Sequence, residues 1–406
     1  MKSGSWPSIL AVYLFGVLGV STLSKMIPLI SDLEHVLGAS PAQYAFLLSL
    51  LALAPAILGA AGGALIDRVG PRRVLIASGL VGAVADLLYG FAPSIGAFQA
   101  IRVFEGLVML GIFTSGPAML MATTSGRRRV SAMTLWSTYT PTGFSLGLVL
   151  AGAFAGTPAW RWTFAVHGLL FAGAAILGLW LPTPTPAEAT GPRLGVTARF
   201  AELFSAYLQP APLRLALAFG AVISLGLGVS TVTPSYLAHA HGLSIGAASD
   251  LLAASNFSMI GGAFLTSAWL GSGRRPRLLY IGLAAVGSAA GAALLDPATP
   301  FGLQIAALCL WLLVTGAGTA FALAVLPTVV ADPRKGAAAA GLFSQVSSVV
   351  TLLTPPFWLA VFGGGSGWAA FAGVIVAGWT LSVLLLPPGA GRAPGQGAVP
   401  APAPGG

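Results

Sequence analysis

Apolar runs of about twenty residues follow one another along almost the whole chain, and no other feature limits its possible folds so sharply. A helix rises about 1.5 Å per residue, so about twenty mostly apolar residues cross the roughly 30 Å hydrocarbon core of a bilayer. Twelve such runs can be counted: 8–31, 43–65, 74–92, 97–121, 130–155, 161–181, 215–238, 246–270, 278–295, 300–329, 337–362 and 367–386. Composition agrees, because 56% of residues are apolar and only 7% charged, against roughly a quarter charged in soluble domains. A water-soluble fold is excluded. The expected class is an all-α integral membrane protein of twelve transmembrane helices, with the lipid bilayer as its main solvent.

A net charge of +9 could suggest nucleic acid, but phosphate-binding residues would cluster on one exposed face. Here the basic residues recur at separated turns between the apolar runs, and no nucleic-acid partner is expected. With both termini cytoplasmic, sixteen of the nineteen Lys and Arg fall in cytoplasmic segments, leaving Arg161 at an outer end and Lys25 and Arg102 inside spans. The positive-inside rule selects that orientation. The first run, Ile9–Ile30, is too long for a signal-peptide core and reads as a retained span. The single cysteine, Cys309, has apolar neighbours and is expected to be a packed thiol with no intrachain disulfide.

The only long polar connection lies between Pro182 and Pro212. It divides the chain into a six-helix bundle over 1–182, a cytoplasmic linker over 183–213 with a short surface helix around Ala198–Tyr207, and a second six-helix bundle over 214–386. Residues 387–406 are Pro, Gly and Ala with one arginine, a composition expected to stay disordered. The two bundles carry traces of a repeat. Leu18-Gly19-Val20-Ser21-Thr22 recurs as Leu227-Gly228-Val229-Ser230-Thr231, and Pro117 followed by Arg127–Arg129 is echoed by Pro327 followed by Arg334-Lys335. Internal pseudo-symmetry of this kind is how many secondary transporters are built, with the substrate site between the halves at mid-depth.

Between the second and third runs lies Gly63-Ala64-Leu65-Ile66-Asp67-Arg68-Val69-Gly70-Pro71-Arg72-Arg73. Gly70-Pro71 cannot continue a helix, and so much charge cannot sit in hydrocarbon, so the chain turns here at a membrane surface. The string resembles the loop between the second and third helices of the major facilitator superfamily, roughly G-x-x-x-D-R-x-G-R-R. Gly63, Asp67, Arg68, Gly70, Arg72 and Arg73 fill that pattern, with Pro71 inserted. The corresponding second-half loop, Gly271 to Arg277, keeps glycine and arginines but has no acidic residue.

The resemblance implies a secondary carrier in a bacterial-type inner membrane, monomeric and without cofactor or metal. It would move a small-molecule substrate, with protons as coupling ion, as residues 1–182 rock against 214–386. Asp67 and its arginines would form a cytoplasmic latch, with Gly63 allowing close approach.

Ionisable groups inside spans cost several kcal/mol and are functional candidates. By residue count Lys25, Arg102 and Glu105 lie at similar depths in the outer half, with Asp86 and His167 within about one turn. Two readings stand for the first three: cavity residues, or a structural ion-pair cluster. Asp86 is expected as a buried partner of Arg102 and as a second proton-coupling candidate. His167 is read as a hydrogen-bonded packing residue, with a proton relay as the alternative. Arg102-Val103-Phe104-Glu105-Gly106 resembles the family's fourth-span R-x-x-x-G pattern. Arginine stays charged, so Arg102 would tune a carboxylate, and Glu105 is the expected proton carrier.

Candidate substrate-binding residues are Lys25, Arg102, Trp136, Tyr139, Asn256, Trp311 and Gln345. The two cations hint at an organic anion. Thr140-Pro141-Thr142-Gly143 lacks glycines of the drug-antiporter signature of the fifth span, which argues against multidrug export without removing it as the alternative.

Gly143-Phe144-Ser145-Leu146-Gly147 fits the G-x-S-x-G nucleophile elbow, but mid-span its glycines fit close helix packing better. His239 and His241 without a third ligand make no convincing metal site. No P-loop or H-E-x-x-H occurs. A channel is the remaining alternative, opposed by two related halves and a gate-like charged loop.

Overall fold

The computed structural model describes residues 1–59, 69–183, 201, 204, 208–330, 336–363 and 368–388, and among them there are helices and turns but no strand. Gly63, Asp67 and Arg68, Arg334 and Lys335, most of the 183–213 linker including its expected surface helix, and the tail from 389 onward lie outside the described residues.

The helices are α1 (Trp6–Ser24), α2 (Ile30–Leu37), α3 (Pro41–Leu50), α4 (Pro71–Phe91), α5 (Ile95–Thr123), α6 (Gly126–Ser137), α7 (Tyr139–Gly152), α8 (Trp162–Gly178), α9 (Pro210–His241), α10 (Ile245–Asn256), α11 (Ser258–Gly271), α12 (Pro276–Leu295), α13 (Phe301–Val329), α14 (Gly336–Gly363) and α15 (Trp368–Leu385). Among the described residues ten stretches are long and apolar enough to cross a membrane, and α8 is a shorter apolar helix. The run expected at 130–155 is the remaining one, and it is broken at Thr138 into α6 and α7.

Local chemistry explains where the helices start. Proline occupies the first turn of α1, α3, α4 and α12, where its missing N–H costs nothing. Ser40 opens α3 with a reciprocal capping box to Gln43, and Ser94 and Ser244 accept the Ala97 and Ala247 amides at 3.3 and 3.1 Å. Gly70 precedes Pro71 at φ 89°, a conformation a side chain would strain.

The first span is interrupted. α1 ends at Ser24, a 3₁₀ turn covers Ile27–Leu29, and α2 begins at Ile30. Pro28 supplies no N–H there. The Thr22 and Leu23 carbonyls accept from the Arg102 guanidinium at 2.7 and 3.2 Å, and the Tyr44 hydroxyl donates to the Met26 carbonyl at 3.0 Å. A helix break inside a span is tolerated when neighbouring side chains satisfy the freed backbone.

The chain divides into two compact units. One comprises Met1–Ala201, Leu227–Phe257 and Ser348–Gly367, the other Glu202–Gly226, Ser258–Ser347 and Trp368–Gly406. The first unit therefore reaches beyond the 1–182 bundle read from the sequence. Within it, α7 meets α10: the Ser145 hydroxyl donates to the Ala253 carbonyl at 2.8 Å, and the Asn256 amide donates to the Pro141 carbonyl at 2.9 Å.

Two apolar clusters fill this unit. One contains Phe15, Leu18, Ala83, Val108, Ile112, Trp136 and Phe171, the other Met26, Tyr44, Tyr89, Phe98, Ile101, Trp160 and Phe164. α1 packs tightly on α7, since a methyl added at Gly147 would lie 2.5 Å from the Ser21 carbonyl oxygen. The glycines of the G-x-S-x-G string thus serve close helix approach.

The second unit has a neutral aromatic core. Trp379 and Trp311 lie edge to face at 6.4 Å, against Gly287 and Gly291 respectively, and the Tyr280 and Ser382 hydroxyls meet.

A buried charge cluster as the candidate functional site

Four helices of the first unit each bring ionisable or polar side chains to one point, mostly as pairs one turn apart. Ser21 and Lys25 come from α1 and its C-cap, Asp86 and Tyr89 from α4, Arg102 and Glu105 from α5, and His167 from α8. Residues three or four apart share a helix face. On each helix the charged position falls at the junction of the two apolar clusters: Lys25 between Leu18 and Met26, Asp86 between Ala83 and Tyr89, Glu105 between Ile101 and Val108, His167 between Phe164 and Phe171. The cluster is thereby flanked by apolar residues on both sides, and Lys25, Asp86, Arg102 and His167 are 0% exposed and Glu105 1%.

Lys25 is the hub. Its ammonium donates to Asp86 Oδ1 and, at 2.6 Å, to Glu105 Oε1. The Tyr89 and Phe164 rings lie 5.5 and 5.7 Å from Nζ, close enough for cation–π attraction. Glu105 Oε2 accepts from Arg102 Nη1 and from the Tyr89 hydroxyl, both at 2.8 Å. Asp86 Oδ2 lies 2.7 Å from His167 Nδ1, and His167 Nε2 lies 2.6 Å from the Ser21 hydroxyl. Ser21, His167, Asp86, Lys25, Glu105 and Tyr89 therefore form one continuous hydrogen-bonded chain, with Arg102 joined at Glu105.

With His167 neutral, the Lys25 ammonium and the Arg102 guanidinium face two carboxylates and the cluster carries no net charge. That balance makes its burial tolerable, because an unpaired ion in this surrounding would cost several kcal/mol. It also leaves room for chemistry: one carboxylate can take a proton and release its claim on Lys25, which stays paired through the other.

The expected pairing of Asp86 with Arg102 is corrected by this geometry. Asp86 pairs with Lys25 and His167, and Arg102 turns to Glu105, on its own helix, and to the Thr22 and Leu23 carbonyls. Arg102 Nε finds no hydrogen-bond partner among the described residues. Tyr89 and Ser21 were not singled out from the sequence. Tyr89 carried a usable signal, one turn after Asp86; Ser21 stood out only within the repeat.

The other candidates lie apart from this cluster. Trp136 is a buried wedge between α1 and α5, 2.9 Å from where a methyl on Gly16 would sit, and it packs on the half-buried Tyr139 at 4.7 Å between ring centres. Asn256 spends its amide on Pro141 and approaches Ser145 Oγ at 3.4 Å. Trp311 is fully buried in the second unit and its indole N–H has no partner among the described residues. Gln345 is half-buried on α14. Of the loop motif, Arg72 donates to the Leu179 carbonyl at 2.5 Å, capping the end of α8, and Arg73 is exposed. Among the described residues no group of His, Cys, Asp and Glu could hold a metal ion.

Comparison with known proteins gives this architecture a family. The family model described as Major Facilitator Superfamily matches residues 9–355. The fatty acid resistance protein FarB of Neisseria gonorrhoeae is 25% identical over 158 residues, 39% of this chain and 30% of that protein. The inner membrane transport protein RhmT of Escherichia coli is 27% identical over 161 residues, 37% of each chain. The tetracenomycin C resistance and export protein of Streptomyces glaucescens is 26% identical over 191 residues, 46% of this chain and 35% of that protein. The chain thus matches about a third of the length of these relatives.

Among solved structures, the nucleoside transporter NupG superposes with a TM-score of 0.74 at 15% identity, covering 94% of this chain and all of that one. An inward-facing, occupied bacterial homologue of the human lysosomal transporter Spinster gives 0.68 at 18% identity, covering 93% of each. With an all-helical fold, ten described stretches long and apolar enough to cross a membrane, and a family match over most of its length, the chain belongs to the Major Facilitator Superfamily and is a multi-pass membrane protein.

Proposed function

We propose that the protein is a proton-coupled secondary carrier of a small organic solute, working by alternating access as residues 1–182 rock against 214–386. The observation that carries this reading is the sharing of Lys25 by Asp86 and Glu105. A proton arriving at the cluster shifts Lys25 from one carboxylate toward the other, and because Lys25 sits at the interruption of the first span, that shift bears on the hinge of α1. The carrier acts as a monomer in a bacterial-type inner membrane with both termini in the cytoplasm, and Asp67 with its arginines latches the cytoplasmic side.

Lys25 and Arg102 are occupied by carboxylates and backbone carbonyls, so an anionic substrate would have to compete for them. This favours the second reading for the substrate over an organic anion: a drug-like or cationic compound, exported. Two relatives are named for resistance or export, to tetracenomycin C and to multiple drugs.

Thermal-shift screening of the purified protein against organic anions, cations, sugars and apolar drugs at two pH values would find the ligand. Flux in proteoliposomes under an imposed pH difference then tests the coupling. Saturating flux with counterflow is expected; ohmic single-channel currents would replace the carrier by a pore. If Glu105→Gln still concentrates the ligand under the pH difference, Glu105 is not needed for coupling.

A further inference from the structure

We infer that His167 is the group through which a proton joins the cluster, and that the Ser21 hydroxyl re-aims when it does. The inference rests on the proton-coupled reading for its purpose, and on hydrogen-bond geometry for its content.

The groups that face the imidazole are Ser21 and Lys25 from α1 and Asp86 from α4, with Glu105 and Arg102 from α5 beyond Lys25; Phe171 of its own helix stands edge-on at 5.0 Å. Nδ1 is 2.7 Å from Asp86 Oδ2 and 3.2 Å from Lys25 Nζ. A carboxylate held by Lys25 is an acceptor, so the short contact places a proton on Nδ1. The state of Nε2 is then decided by Ser21, which has one hydroxyl proton and two acceptors in reach: His167 Nε2 at 2.6 Å and the Leu18 carbonyl at 2.9 Å.

Two proton arrangements fit the same heavy atoms. In the first, Ser21 donates to Nε2 and the imidazole is neutral. In the second, a proton from the aqueous phase has bonded to Nε2, which now donates to Ser21 Oγ, while the Ser21 O–H has turned to the Leu18 carbonyl. The proton leaves a hydronium ion in the water phase, no covalent bond within the protein breaks, every polar hydrogen of the cluster keeps an acceptor, and the cluster changes from neutral to one positive charge. The imidazolium then holds Asp86 by charge as well as by hydrogen bond, which weakens the claim of Asp86 on Lys25 and yields the ammonium to Glu105. Glu105 itself, already accepting from Lys25, Arg102 and Tyr89, would have to turn at least one of these donors away if it took the proton directly.

The test is nitrogen NMR of the full chain in lipid nanodiscs. The chain has four histidines, so His35→Asn, His239→Asn and His241→Asn together leave His167 as the only ¹⁵N-histidine signal. Between about pH 8 and pH 4, a window that takes in the ordinary histidine range and the acid side of it, Nδ1 should stay protonated while Nε2 passes from unprotonated to protonated. An Nδ1 that is unprotonated, or an Nε2 that does not change over this range, overturns the inference. Ser21→Ala removes the hydroxyl that adapts to both states and should displace the midpoint; an unchanged midpoint removes Ser21 from the scheme. Failure of the two readings is separable. If His167 titrates as described while a pH difference drives no flux, proton coupling falls and the histidine assignment stands. If flux is proton-driven and His167 does not titrate, only this inference falls.

Discussion

The Lys25 ammonium lies 2.6 Å from Glu105 on α5 while also paired with Asp86 on α4, so a single cation ties together two carboxylates from two helices. Removing it leaves both acids short of a partner in a fully buried site. Lys25→Met is therefore expected to lower stability by about 3–5 kcal/mol, the scale for an orphaned buried charge. Lys25→Met with Asp86→Asn restores neutrality and should recover much of the loss. Thermal unfolding in detergent across the double-mutant cycle measures this; additive losses would show that the pair is not coupled.

The seam between α7 and α10 offers a second test. Ser145 and Asn256 each donate to a backbone carbonyl of the opposite helix, Ala253 and Pro141. By the orientation read from the basic residues, this seam lies toward the outer face. Each hydrogen bond contributes about 1 kcal/mol, so Ser145→Ala with Asn256→Ala, about 2 kcal/mol together, should shift the balance toward outward-open states by about thirtyfold. Labelling of a cysteine placed near Gly152 from outside the cell reads that shift, and an unchanged labelling rate counts against a gating role.

Asp67 carries the latch proposal. Asp67→Asn keeps shape and removes charge, so flux should fall while yield and thermal unfolding remain as in the wild type. Wild-type flux would remove the latch.

Gly147 bears on packing alone. A side chain there runs into the Ser21 carbonyl and the Lys25 amide, at 2.5 and 3.0 Å already for a single methyl. The obstacle is backbone, which cannot swing aside, so Gly147→Val should cost at least the 1–3 kcal/mol usual for overpacking. It should also disturb Lys25, giving a lower unfolding temperature and impaired flux together.

Much of this molecule was legible in the order of its residues. The apolar runs specify helices of membrane length because hydrocarbon admits few other ways to pair the backbone, and the positions of Lys25, Asp86, Arg102, Glu105 and His167 stood out because charge in such runs is costly. Depth along a span follows from residue count, which is why these five could be placed near one level. Who pairs with whom does not follow from depth. It depends on how each helix is rotated about its axis, and that is decided by packing between helices: Gly147 letting α1 close on α7, the break before Pro28 turning the Thr22 and Leu23 carbonyls to Arg102, and two apolar clusters closing above and below the charges. The sequence by itself determined that this chain is a bundle of membrane helices with a few expensive charges. Only the tertiary structure decided that Lys25 answers to Asp86 and Glu105 together and that Ser21 stands against His167, because those contacts are between helices, where no spacing along the chain can reach.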